Sequence, residues 1–182
     1  MKEVRLHGRG GQGLVKAAHI IVKAAVATGK YASFIPFFGV ERKGSPVYGF
    51  LRLDDKPIRL RTQVYSPDYL IVLDDTLIDE VNLFEGLKEN AVLVINSGHS
   101  LTGFNLPEEV STVGLVDATN IALKNFKKNI PNTTMLGAFC RATGWVALDQ
   151  VKALVEEEFG PENTTACEEG YQNTNLLQVR CR

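Results

Sequence analysis

At 182 residues, with 45% hydrophobic and 23% charged side chains, the chain has the composition of one soluble globular domain and is short for two. Its 20 basic and 21 acidic residues nearly cancel, unlike the basic excess of a nucleic-acid binder, and no apolar run is long enough to span a bilayer. The start, Met1-Lys2-Glu3, lacks the pattern of a signal peptide. A cytoplasmic protein with neither nucleic-acid nor membrane partners is expected.

The first strand-like stretch runs from Glu3 to His7 and leads into Gly8-Arg9-Gly10-Gly11-Gln12-Gly13. Glycines at this spacing, between a strand and a helix, let the backbone turn sharply and bring amide N–H groups and a helix N-terminus to an anion. Phosphate is the expected guest. An NAD site would also need an acidic residue about 20 positions later for the ribose hydroxyls. Between Glu3 and Glu41 there is no Asp or Glu; Arg5, Arg9, Lys16, Lys23 and Lys30 occupy that stretch instead.

Leu14 to Thr28 reads as a largely buried helix, with Lys16, His19 and Lys23 sharing its solvent stripe and Gly29 closing it. Ala32 to Phe37 is a second strand, followed by an irregular segment from Phe38 to Pro46. Val47 to Leu53, the turn Asp54-Asp55-Lys56-Pro57 and Ile58 to Arg61 suggest a hairpin, hence a mixed sheet.

Tyr69 to Leu73 and Ala91 to Ile95 read as buried strands. Between them, Asp74 and Asp75 precede a short helix starting near Thr76, with Asp79 placed as in a capping box. Ser111 to Val116 is the last strand expected. Asp117 caps a helix to Asn129; further helices follow at Met135 to Thr143, behind Asn132-Thr133-Thr134, and at Leu148 to Phe159. The alternation predicts an α/β fold, three-layered and Rossmann-like, with a mostly parallel, mixed sheet. Residues 1–160 form the expected domain, and the polar residues 161–182 a tail that is loosely ordered or docked on a partner.

Cys140, Cys167 and Cys181 form no Cys-x-x-Cys pair, so neither a disulfide framework nor a zinc or iron–sulfur site held by this chain is expected. His7 reads as a structural histidine. Helix capping accounts for Asp74 and Asp75 without a metal. No catalytic and no metal-binding residue is assigned.

Loops leaving neighbouring strands of an open α/β sheet share one edge, where ligands bind. The glycine turn and the segment Phe38-Gly39-Val40-Glu41-Arg42-Lys43-Gly44-Ser45-Pro46-Val47 are therefore expected to face each other. These two motifs, with Asp117-Ala118-Thr119 and Ile130-Pro131-Asn132-Thr133-Thr134-Met135-Leu136-Gly137-Ala138, resemble the gamma subunit of the 2-oxoacid:ferredoxin oxidoreductases, of which pyruvate synthase is the best-known member. The resemblance covers Val4 to Phe159.

It implies an accessory chain, not catalytic alone, in a complex that decarboxylates a 2-oxoacid oxidatively, gives acyl-coenzyme A and CO2, and reduces ferredoxin. Coenzyme A is implied as co-substrate at this chain. Thiamine diphosphate, magnesium and the iron–sulfur clusters are implied on partner subunits. The expected coenzyme A-binding residues are Gly8, Arg9, Gly10, Gly11, Gln12 and Gly13 with Gly39, Glu41, Arg42, Lys43, Gly44 and Ser45. Many relatives carry a second Arg where Lys43 stands, and a Lys meets phosphate as a point charge instead of a fork. Two other readings compete: a self-contained NADP-binding reductase, with Arg9 or Arg42 on the 2′-phosphate, and a pure assembly module whose loops are interface.

Overall fold

The computed structural model describes residues 1–37 and 43–179. Gly39, Glu41 and Arg42 of the expected binding set, and Cys181, lie outside the described residues.

Among the described residues seven strands form one sheet: β1 (Lys2–Arg9), β2 (Tyr31–Phe37), β3 (Pro46–Asp54), β4 (Tyr69–Val72), β5 (Ala91–Asn96), β6 (Val110–Val116) and β7 (Asn175–Gln178), in the spatial order β2-β3-β1-β4-β5-β6-β7. The pairings β1–β4, β4–β5 and β5–β6 are parallel. Those of β3 with β1 and β2, and of β7 with β6, are antiparallel. Only β3 and β7 therefore run against the rest, so the sheet is mixed and mostly parallel.

Strand periodicity sorts β1 onto two faces. Val4 and Leu6 enter a core with Leu14, Ala18 and Ile21 of α1 (Leu14–Ala27), while Arg5 and His7 turn to the other side. Lys16, His19 and Lys23 of α1 are exposed, as the spacing predicts. The same core takes side chains from α3 (Ala118–Phe126), α4 (Asn132–Thr143), α5 (Leu148–Phe159) and α6 (Pro161–Asn173). The second outer layer is thin. Leu70, Val72, Leu93 and Ile95 are covered there by Leu77 of the four-residue α2 (Leu77–Glu80) and by Leu83, with Leu101 and Phe104 beside them.

Two expectations are corrected. Ile58 to Arg61 does not return as a strand, because β3 is already paired on both sides and has no free edge to offer. Instead the buried Arg52 donates to the carbonyls of Thr62 and Gln63 and pins this segment against the sheet. Nor do residues 161–178 form a loose tail. They are α6, packed closely on α4, and β7, which extends the sheet beyond β6. A Cβ on Gly137 would overlap the Cys167 carbonyl, and one on Gly170 the Thr134 carbonyl. The α4–α6 contact is thus backbone against backbone, made by residues that carry little hydropathy.

Candidate functional site: a cleft where helix N-termini meet

The glycine turn is held from three sides. Gly10 N–H donates to Ser45 O at 2.9 Å and Gly44 N–H to Gly10 O at 3.0 Å, so the β1–β3 ladder continues past Arg9 and brings Lys43, Gly44 and Ser45 against the turn. Gln12 closes it from within: its Oε1 accepts from Arg9 N–H at 2.8 Å and its Nε2 donates to Asp74 at 2.8 Å. Gly13, at φ 78°, is the left-handed N-cap of α1, and a Cβ there would overlap Asn132. Asn132, buried at the start of α4, donates to Gly13 O at 3.4 Å.

These contacts converge the N-termini of α1, α4 and α6. Thr133 at the start of α4 meets Asn163 in the first turn of α6 at 3.1 Å. Neither α1 nor α4 has an acidic residue in its first turn or a side-chain cap from its N-cap residue. The first-turn amides of α1 have no intrahelical acceptor and add partial positive charge. Beside them opens a cleft of about 970 Å³. Lys16, Lys43 and Lys128 stand at it with Glu158 and Glu162, and Val15, Phe126, Ile130 and Phe159 give it apolar walls. Lys16 pairs with Glu158 at 3.0 Å across the exposed rim. Such a site has cationic points for an anion and an apolar surface for the body attached to it.

Arg9 is placed otherwise than its position in the turn suggests. Although its residue borders the cleft, its guanidinium meets Glu80 at 2.6 Å and Asp74 at 3.3 Å and donates to Thr76. Burial pushes the Asp74 carboxyl up, but hydrogen bonds from Thr76 and Gln12 and the Arg9 charge outweigh it and hold it below the ordinary carboxylate range. Asp75 accepts from Ser97. Thr76 is not the expected side-chain cap of α2; its hydroxyl donates to Asp74. Among the described residues no group of three His, Cys, Asp or Glu side chains is arranged to hold a metal ion. Cys140 and Cys167 are buried, which pushes the Cys140 thiol up to about 12 and raises that of Cys167 as well. The cleft also brings in Lys128, Asn132, Asn163 and Phe159, which lie outside the expected set. The only sequence signal for them was the Ile130-to-Ala138 motif around Asn132.

Residues 3–173 match the family described as Pyruvate ferredoxin/flavodoxin oxidoreductase. The chain belongs to that family. Within it the chain is 49% identical over 187 residues to the gamma subunit of an NADH-dependent phenylglyoxylate dehydrogenase from Aromatoleum evansii, covering 100% of this chain and 98% of that one. It is 46% identical over 183 residues to the pyruvate synthase subunit PorC of Methanothermobacter thermautotrophicus, covering 98% and 99%. Its fold matches the crystal structure of pyruvate oxidoreductase subunit PORC from Thermotoga maritima at a TM-score of 0.83 and 35% identity, over 96% of this chain and 97% of that one. The expectation of a gamma-type oxidoreductase chain is met along its whole length.

Proposed function

We propose that this gamma-type chain works inside a multi-subunit 2-oxoacid:ferredoxin oxidoreductase, where its cleft binds coenzyme A and its surfaces join it to the thiamine- and cluster-bearing subunits. The observation that carries the reading is the convergence of three helix N-termini, that of α1 uncapped, and three lysines on a cleft with apolar walls. Coenzyme A has phosphates for the first and an extended, largely uncharged arm for the second. Its volume range also fits, because small-molecule sites run to about 1,000 Å³.

Bound there, coenzyme A would supply the thiol that takes up the acyl group. This chain's own part is to bind and orient. Amides at the start of α1 meet phosphate oxygens, Lys16, Lys43 and Lys128 neutralise them, and Phe126, Ile130 and Phe159 shield the arm from water. The 2-oxoacid itself is selected elsewhere in the complex. Chains of nearly equal similarity are named for pyruvate and for phenylglyoxylate, substrates of very different size.

The NADP-reductase reading is not favoured. In a dinucleotide fold the second strand lies directly beside the first, so its carboxyl end faces the glycine turn. Here β3 is inserted between β1 and β2 and moves that end one strand further away.

The decisive test is Lys128→Glu in the assembled complex, assayed anaerobically by viologen reduction. KM for coenzyme A rises by about tenfold or more, as for loss of a charge-assisted phosphate contact, while KM for the 2-oxoacid and the subunit composition stay unchanged. Unchanged coenzyme A kinetics would remove coenzyme A from this cleft. Loss of subunits from the complex would make the cleft an interface.

A further inference from the structure

β1 and β4 are parallel neighbours, so the end of β1 at Arg9 lies beside Asp74, just past β4, and the short α2 that follows carries Glu80 to the same edge. There the Arg9 guanidinium is fully engaged. Nη1 donates to Glu80 Oε2 at 3.0 Å and to the Gly44 carbonyl at 3.2 Å. Nη2 donates to Glu80 Oε1 at 2.6 Å and to the Thr76 hydroxyl, and Nε faces Asp74 at 3.3 Å. Each Nη atom carries two N–H bonds and Nε one, so no donor is left over for a ligand. Two carboxylates against one guanidinium also leave this spot net negative, which repels a phosphate.

What these contacts hold in place is the rim of the cleft. The Gly44 carbonyl taken by Arg9 belongs to the segment that bonds the glycine turn, through Gly44 N–H to Gly10 O at 3.0 Å and Gly10 N–H to Ser45 O at 2.9 Å. Lys43, next in the chain, stands at the cleft. Gln12 ties the turn to the same Asp74. The other end of the clamp is anchored, because Leu77 of α2 is buried against the sheet. Arg9 thus reaches from a fixed element to the two segments that frame the cleft. An isolated exposed ion pair contributes little, but a two-pronged arginine–carboxylate contact within a network is the exception.

On the reading that the cleft holds coenzyme A, we infer that Arg9 is a positioning residue of that site. Held by Glu80 and Asp74, it fixes the glycine turn and the Lys43-Gly44-Ser45 segment in the geometry that meets phosphate, and touches no phosphate itself. Glu80, whose residue stands outside the cleft lining, therefore controls coenzyme A affinity. An arginine kept in reserve as a phosphate ligand has the opposite signature: removing its carboxylate partner frees it and tightens binding.

Glu80→Ala in the assembled complex decides between the two, read by calorimetric coenzyme A affinity and by viologen-reduction kinetics. The Glu80 side chain is half exposed, so its truncation leaves the core intact. Kd and KM for coenzyme A rise about three- to fivefold, the range of a networked ion pair, while kcat and KM for the 2-oxoacid stay unchanged. Arg9→Met has the same effect, and Arg9→Lys does not restore binding, because an ammonium lacks the fork. The double variant Arg9→Met/Glu80→Ala is no worse than either single one, as for two residues acting through one contact. On the full chain alone, hydrogen exchange of the Gly10 and Gly44 amides is faster in Glu80→Ala. Tighter or unchanged coenzyme A affinity in Glu80→Ala overturns the positioning role, as does unchanged exchange at both glycines. Loss of subunits from the Glu80→Ala complex would place Glu80 at an interface and overturn it as well. Lys128→Glu, measured alongside, separates the failures. If it weakens coenzyme A binding and Glu80→Ala does not, the positioning role alone falls; if neither weakens it, the cleft reading falls too.

Discussion

His7 sits one residue before the glycine turn, and at residue scale it carries the clearest pH signal in the molecule. Burial, with Arg5 adding repulsion, takes its pKa from 6.5 to about 3. Between those values the unfolded chain binds a proton that the folded chain refuses, so this contribution to stability is complete above pH 6.5 and is lost as pH falls. The slope is about 1.4 kcal/mol per pH unit. His7→Phe keeps a ring against Tyr48 and removes the titration. In urea denaturation, the stability of the wild type relative to His7→Phe therefore falls by about that amount per unit between pH 6.5 and 4. A constant difference would show that His7 is not buried neutral. Single residues were legible in the sequence where their environment is local: Lys16, His19 and Lys23 follow from helix spacing alone. Arg9 was not. Its partner Glu80 lies 71 positions away, and a glycine turn read by itself offers that arginine to an anion.

The α4–α6 pair shows the same limit at the scale of elements. Helix α4 was legible from its apolar run and its closing Gly144, which adopts φ 64°. Helix α6 was not, since its sequence PENTTACEEGYQN has almost no apolar stripe; its buried positions are Ala166, Cys167 and Gly170. Hydrophobic periodicity detects side chains that fill space, whereas this contact depends on side chains that are missing. Gly137→Ala is accordingly among the most damaging conservative changes available. It sets a methyl against the Cys167 carbonyl and costs about 3 kcal/mol, the upper range for overpacking a close contact. Thermal unfolding of Gly137→Ala beside Ala138→Gly separates the two causes, because the second variant loses helix propensity without a clash. A Gly137→Ala protein as stable as the wild type would mean that α6 does not sit against α4. The β3 hairpin was misassigned for a related reason. The turn at Asp54 to Pro57 is visible in the sequence, but the competition for the two edges of β3 is decided by β1 and β2.

Across the whole molecule, the family and the mixed α/β sheet were legible because four motifs occur in order over most of the chain. The cleft was only half legible. Its floor is the glycine turn, but its walls come from the ends of α3, α5 and α6, which the fold gathers from distant parts of the chain. The far end of the sheet has its own consequence, and it concerns how the protein behaves in a tube. All four residues of β7 are exposed and none is charged, and Leu176, Leu177 and Val179 show 38–41% of their surface. β2, the opposite edge, carries Pro36, which cannot donate to an added strand. Among the described residues β7 has no such guard. Concentrated solutions of the isolated chain should scatter light through edge-to-edge strand pairing, and Leu177→Lys should suppress this while shifting unfolding by no more than about 0.5 kcal/mol. Scattering that persists in the variant would place the adhesive surface elsewhere. If it disappears, the shelf life of the purified subunit is set by a single unguarded strand, and one lysine is enough to extend it.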